Sequence, residues 1–266
     1  IPASVETMGA VYDAAVGTDV AFRVFQGCVA LQNINIDANN TNYAMVNGSL
    51  YKLDNTNPVE LMYTPGSTVV EDGVLTIPST VKSIYNSAFE GNSTVQTVNF
   101  EATTVGDDFY LGTKAFYLCT GMTSINLPEG IKEIPEKAFY GCIGLTTITI
   151  PKSVTVIQPG AFNSCMGLTA INFTAGGTED LIIPDGSSKN APFGGCSSLL
   201  TLELPERTRT IGKYMTTAPT ATTAAINGVM PVSALQEIIL PSTLRYIEGW
   251  AFYNSNSTTE QRNFLD

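Results

Sequence analysis

Histidine is absent from the 266 residues. With it goes the imidazole base on which Ser-His-Asp and Cys-His nucleophilic systems depend, and the commonest ligand of zinc and iron sites. Charge is scarce as well: 14% of the residues are charged, and the 13 Lys and Arg form no basic run. Set against 24 Asp and Glu they leave a net charge of −11. That balance argues against nucleic acid, which is held by cations that neutralise phosphate, and against anionic membrane surfaces. No apolar run approaches the roughly 20 residues of a membrane-spanning helix, so direct membrane insertion is not expected. The chain opens on Ile1 rather than Met, without a recognisable secretory leader, and a processed or trimmed form is expected.

What the sequence does contain is a repeat. MTSINLPEGIKEIPEKAFYGCIG from Met122 and LTTITIPKSVTVIQPGAFNSCMG from Leu145 match over a period of 23 residues. A third copy begins at Leu168 with LTAINF and then breaks. Each unit has two parts. The first, L-x-x-I-x-I/L, recurs seven times: Leu31-Ile34-Ile36, Val95-Val98-Phe100, Met122-Ile125-Leu127, Leu145-Ile148-Ile150, Leu168-Ile171-Phe173, Leu199-Leu202-Leu204 and Leu235-Ile238-Leu240. The second is V-x-x-I followed by Ala-Phe and a Gly-Cys-like turn, as in Val81-Ile84-Ala88-Phe89, Ile131-Ile134-Ala138-Phe139, Val154-Ile157-Ala161-Phe162 and Leu244-Ile247-Ala251-Phe252.

The last two apolar positions of the first part alternate with polar ones, which is the period of a half-buried strand. A proline usually follows (Pro128, Pro151, Pro205, Pro241). It cannot donate to a ladder, so the strand ends there. Alanine then lets backbones approach at a corner while phenylalanine fills the space between sheets. A single unit cannot bury its apolar side alone, but stacked units can, each against its neighbours. The pattern predicts one β-rich solenoid over residues 1–266, with short helical or irregular corners.

Spacing, Pro, Ala-Phe and Cys together make the chain resemble the BspA-like leucine-rich-repeat family of bacterial surface proteins, from about Val81 to Phe252 with a degenerate N-terminal copy. The resemblance implies a right-handed leucine-rich-repeat solenoid, an extracellular or cell-surface location, and adhesion to host or matrix proteins. It supplies no catalytic residue and no cofactor, so the chain is not expected to be an enzyme.

Four segments break the period: residues 37–76, 101–113, 174–191 and 216–233. Within the first, Asn47-Gly48 between strand formers is a type I′ hairpin signal, read as a β-hairpin inserted edge-on, an element that the resemblance also implies. The others are expected to be loops on one side, either functional or grown neutrally, because closure entropy rises slowly with length.

Cys119, Cys142 and Cys165 lie one repeat apart, a spacing unlike metal motifs, and are expected to stack as buried free thiols, with Cys28 and Cys196 in the same place in imperfect copies. Asp37, Asn39 and Thr41 begin like an EF-hand loop, but Asn42 and Gly48 stand where Gly and Glu are needed. The adjacent carboxylates Asp107-Asp108 and Glu179-Asp180 raise the possibility of glycoside hydrolysis, although neighbours in a loop rarely face one cleft. Tyr117, Tyr140 and Tyr253 each follow an Ala-Phe corner, as a covering column or as an aromatic platform for sugars.

Side-by-side first strands would turn one row of residues outward on either side of the central apolar position: Asn33 and Asn35, Thr97 and Asn99, Ser124 and Asn126, Thr147 and Thr149, Ala170 and Asn172, Thr201 and Glu203, Glu237 and Ile239. This small, polar, nearly uncharged surface is the expected partner-binding face, for a protein or else a glycan. A spacer role without a ligand is the remaining alternative.

Overall fold

The computed structural model describes residues 1–6, 8, 12–13, 18–19, 24–25, 27–66, 68, 70–106, 109–187, 189–216 and 234–252. After a short antiparallel pair, β1 (Tyr12–Asp13) and β2 (Thr18–Asp19), comes a three-stranded antiparallel meander of β3 (Tyr43–Val46), β4 (Ser49–Asp54) and β5 (Asn57–Tyr63). Asn47 and Gly48 sit at φ 48° and 78°, the pair of left-handed residues that a type I′ turn requires.

From there the chain coils, alternating between two faces. The first face stacks β6 (Val74–Ile77), β8 (Thr97–Phe100), β10 (Ser124–Ile125), β12 (Thr147–Ile150), β14 (Ala170–Phe173), β16 (Thr201–Glu203) and β18 (Glu237–Ile239). The second stacks β7 (Ser83–Ile84), β9 (Tyr110–Leu111), β11 (Glu133–Ile134), β13 (Val156–Ile157), β15 (Leu181–Ile183), β17 (Thr208–Ile211) and β19 (Tyr246–Ile247). The pairings within each face are parallel. The meander is built into this frame, because β5 runs parallel to β7, Leu61 opposite Ile84. Its third strand is therefore the first strand of the second face. Among the described residues the helical content is one 3-10 turn at Glu71–Gly73. The fold is thus a β-solenoid with parallel sheets and little helix.

The core follows the repeat. In Thr147–Ile150 the side chains alternate exposed and buried, as the period of two demands. Phe89, Phe116, Phe139, Phe162 and Phe193 form one buried ladder of rings, with successive centroids 4.7, 5.2, 5.3 and 5.8 Å apart. Beside it runs a ladder of thiols. Cys119, Cys142, Cys165 and Cys196 each donate to the carbonyl of the Phe one coil back (Phe89, Phe116, Phe139 and Phe162) at 3.0–3.2 Å. Coils approach closely at Gly144 and Gly167, where a Cβ would lie 2.8 Å from the Thr120 carbonyl oxygen and 2.3 Å from that of Ile143.

Several expectations are corrected. Cys28 is exposed and outside the thiol column, because Leu31–Ile36 forms no strand and its apolar side chains only pack against the core's edge. Residues 37–76 are not wholly an insertion. Val74–Ile77 pairs in register with Thr97–Phe100 and is a repeat strand, hidden because Asp72 occupies the position of the leading Leu. Residues 101–113 and 174–191 likewise contain second-face strands, β9 and β15. Residues 217–233 lie outside the described residues.

The thiol column gives a direct prediction. Burial pushes the Cys142 and Cys165 thiols well up, and that of Cys196 from 9.0 to about 12. The thiolate is the reactive form. A disulfide-exchange reagent at pH 8 should therefore titrate Cys28 quickly and the four buried thiols only after denaturation. Because the neutral thiol is favoured in the fold, the stability it supplies is complete below pH 9 and falls as pH rises towards 12. Five fast thiols in the native protein would show that the column is not buried.

Candidate binding face

The first face presents the predicted residues in register. Val74, Thr97 and Ser124 stand side by side, as do Thr147 with Ala170, Thr149 with Asn172, Thr201 with Glu237 and Glu203 with Ile239. Ser124, Asn126, Thr147, Thr149, Asn172, Thr201, Glu203 and Glu237 are exposed, while Thr97 and Asn99 are half-buried. Four of them are held by a neighbour on the next coil. The Thr97 and Ser124 hydroxyls are 3.1 Å apart, and Thr201 donates to Glu237 at 3.5 Å. Charge enters these rows only at the end, with Glu203 and Glu237; from β8 to β14 they are Thr, Ser, Asn and Ala.

Sequence reasoning missed a third outward row. The residue directly after each leading apolar position is also exposed: Gln96, Thr123, Thr146, Thr169, Leu200 and Gln236. Thr123 and Thr169 donate to the carbonyls of Gln96 and Thr146, both at 3.1 Å. The signal was available, since this position is polar in five of these six copies, but it falls outside the alternation that marks a strand. The N-terminal positions Asn33 and Asn35 do not join the ladder, because no strand forms there.

Other candidate chemistry is dispersed. Glu179 and Asp180 face different cations, Lys132 at 3.9 Å and Arg209 at 3.0 Å, so they do not converge. Asp107-Asp108 and Tyr253 lie outside the described residues. Asp37 accepts from the backbone and side-chain amides of Asn39, a local turn. Among the described residues no group of three or more His, Cys, Asp or Glu is placed to hold a metal ion, and no helix is long and apolar enough to cross a membrane. Tyr117 and Tyr140 do form a column, with ring centroids 5.0 Å apart and planes 18° apart. Burial, then the neighbouring Tyr140 and Glu90, raise the Tyr117 phenol. Stacking on each other occupies one face of each ring.

Comparison with known proteins accounts for this arrangement. A sequence profile described as BspA type leucine rich repeat region matches in 6 copies over residues 73–179 and 230–262, more than half of the chain. The chain belongs to the BspA-type leucine-rich-repeat family. Comparison with curated proteins returns no match. Among solved structures, a leucine-rich repeat protein from Eubacterium ventriosum is 20% identical with a TM-score of 0.55, over 100% of this chain and 60% of its own. The pneumococcal vaccine antigen PcpA is 18% identical with a TM-score of 0.53, over 83% of this chain and 46% of its own. A leucine-rich repeat protein from Bacteroides ovatus is 21% identical with a TM-score of 0.50, over 80% and 48%. At these identities the likeness is one of fold, and the chain spans less than two thirds of each solved chain.

Within the BspA-type repeat, carboxylates fasten one coil's turn to the next. Glu129 accepts from the Lys152 and Ser153 amides at 3.3 and 3.2 Å, and Glu206 from the Ser242 amide and hydroxyl at 3.3 and 2.9 Å. These bonds hold Glu206 below the usual carboxylate range. They tie down the turns at the strand ends and so keep the BspA-type face in register.

Proposed function

We propose that this protein is a non-catalytic extracellular or cell-surface adhesion module that takes a host or matrix protein on its first sheet face. The supporting observation is the run of outward Thr, Ser and Asn from β8 to β14, half-buried on β8 and exposed beyond it, uncharged in its two central rows, with Thr97, Ser124, Thr123 and Thr169 held by coil-to-coil hydrogen bonds. Side chains already ordered lose little freedom on binding, and small hydroxyl and amide groups both donate and accept.

Size sets a further condition. Seven strands about 4.8 Å apart give a strip roughly 29 Å long and about 10 Å wide. That is less than the roughly 800 Å² each partner buries in a stable complex. A tight partner must therefore also reach the flanking turns, and a partner confined to the strip binds weakly.

The test is binding of the purified chain to immobilised collagen, laminin and fibronectin. Saturable binding to at least one of them is expected. The double variant Thr147→Arg with Thr149→Arg should abolish it, because two buried unpaired cations cannot be accommodated in such an interface. Binding that survives the double variant, or no saturable binding to any of the three, would remove the sheet face as the adhesion surface.

A further inference from the structure

No ladder joins β14 to β16. Where the first face parts between these coils, a groove of about 490 Å³ opens at the strand ends, walled by Asn172, Phe173, Gly176, Gly177, Glu203 and Arg207 among others. Its cause lies in the sequence. Phe173 is followed by Thr174 and a loop with Gly176-Gly177, where the preceding coil has Ile150-Pro151 and a tight turn. Both glycines have left-handed φ, 86° and 89°, and neither puts a side chain into the opening.

Three observations bear on what would fill it. Phe173 is half-buried and has no aromatic partner among the described residues, whereas the equivalent Phe100 is covered edge-on by Phe109 at 6.1 Å. Arg207 is 6% exposed. Its two terminal nitrogens donate to the Val154 and Pro151 carbonyls at 2.5 and 3.3 Å, but its buried Nε has no acceptor, and no carboxylate is within ion-pair distance among the described residues. The adjoining Cδ lies beneath Gly177, 3.2 Å from where a Cβ would be. Finally, Asn172 and Glu203 stand exposed at the rim.

We propose that this groove binds one neutral hexopyranose unit of a glycan. The ring of Phe173 is offered to the C–H face of a sugar. The Glu203 carboxylate and the Asn172 amide take adjacent hydroxyls, and the Arg207 Nε–H gains the oxygen acceptor that the fold does not supply. An acidic sugar is opposed by Glu203 and by Glu206 in the same wall. The site shares Asn172 and Glu203 with the edge of the first face, but it does not depend on the protein-binding reading.

The experiment is saturation-transfer NMR and calorimetry on the full chain with methyl α-mannopyranoside, methyl β-galactopyranoside and methyl β-glucopyranoside, with methyl glucuronide as the anionic comparison. At least one neutral glycoside should bind saturably and more tightly than the glucuronide. Phe173→Leu, which installs the residue found at the equivalent Leu127, Leu204 and Leu240, should preserve the melting temperature and weaken binding about tenfold, as should Asn172→Ala. Glu133→Gln, exposed on the second face, should leave it unchanged. The proposal is overturned if no neutral glycoside saturates, if the glucuronide binds best, or if Phe173→Leu and Asn172→Ala both bind like the parent. Matrix-protein binding without glycoside binding would likewise remove the sugar site while leaving the adhesion face standing.

Discussion

Phe139→Ala is expected to destabilise the protein by about 3–5 kcal/mol, the range for removing a large buried aromatic and leaving its cavity. Phe139 is fully buried and lies between Phe116 and Phe162, with centroids 5.2 and 5.3 Å away and planes within 6° and 2°. Its loss therefore breaks two ring contacts at once. Phe89, by contrast, stacks on a single ring among the described residues, Phe116, and Phe89→Ala should cost less. Solenoid stability is approximately a sum of nearest-neighbour terms, so weakening a middle coil should also broaden or split the denaturation curve. Urea unfolding followed by circular dichroism reads both effects. A midpoint and slope like those of the parent would mean that the ring is not between the sheets.

The second large effect is expected at Asn92, which sequence reasoning passed over. Asn92 occupies the place held by Cys119, Cys142 and Cys165 in later coils. It is buried, and its amide donates to the Pro65 carbonyl at 2.8 Å, the same coil-to-coil bond that each thiol makes. Its Oδ1 does what a thiol does not, accepting from the Val95 and Thr94 amides at 2.9 and 3.1 Å. Asn92→Ala strands those groups without partners and should cost about 2–4 kcal/mol, on the basis of roughly 1–3 kcal/mol for each buried group left unsatisfied. Asn92→Cys restores only the bond to the preceding coil and should fall between alanine and the parent. Equal stabilities for the alanine and cysteine variants would show that the bond to Pro65 contributes nothing.

The same residue shows where legibility ended. The ring ladder and the thiol ladder were readable because each recurs at the period of the coil. A residue that meets its own equivalent one turn later leaves a periodic trace. The meander was readable for a different reason, since Asn47-Gly48 specifies a turn locally. Asn92 gave no such trace, because a different side chain solves the same hydrogen-bonding problem at one coil only. Val74–Ile77 was obscured by the single substitution at Asp72, and Cys28 was placed wrongly because its motif lacks a neighbouring strand to enforce the register.

For the candidate face, alternation around Val98, Ile125, Ile148, Ile171 and Leu202 sufficed to name the outward residues, because a pleated strand turns successive side chains to opposite sides. It did not reveal the row from Gln96 to Gln236, or the break between β14 and β16. Phe100 and Phe173 occupy equivalent positions and each lacks the usual proline after it, so the sequence treats them alike. Only the tertiary structure decided that Phe109 returns to cover the first ring while a glycine turn leaves the second without an aromatic cover among the described residues. Repeats encode what each coil buries against the next. The path of an inserted loop depends on distant contacts that no period records.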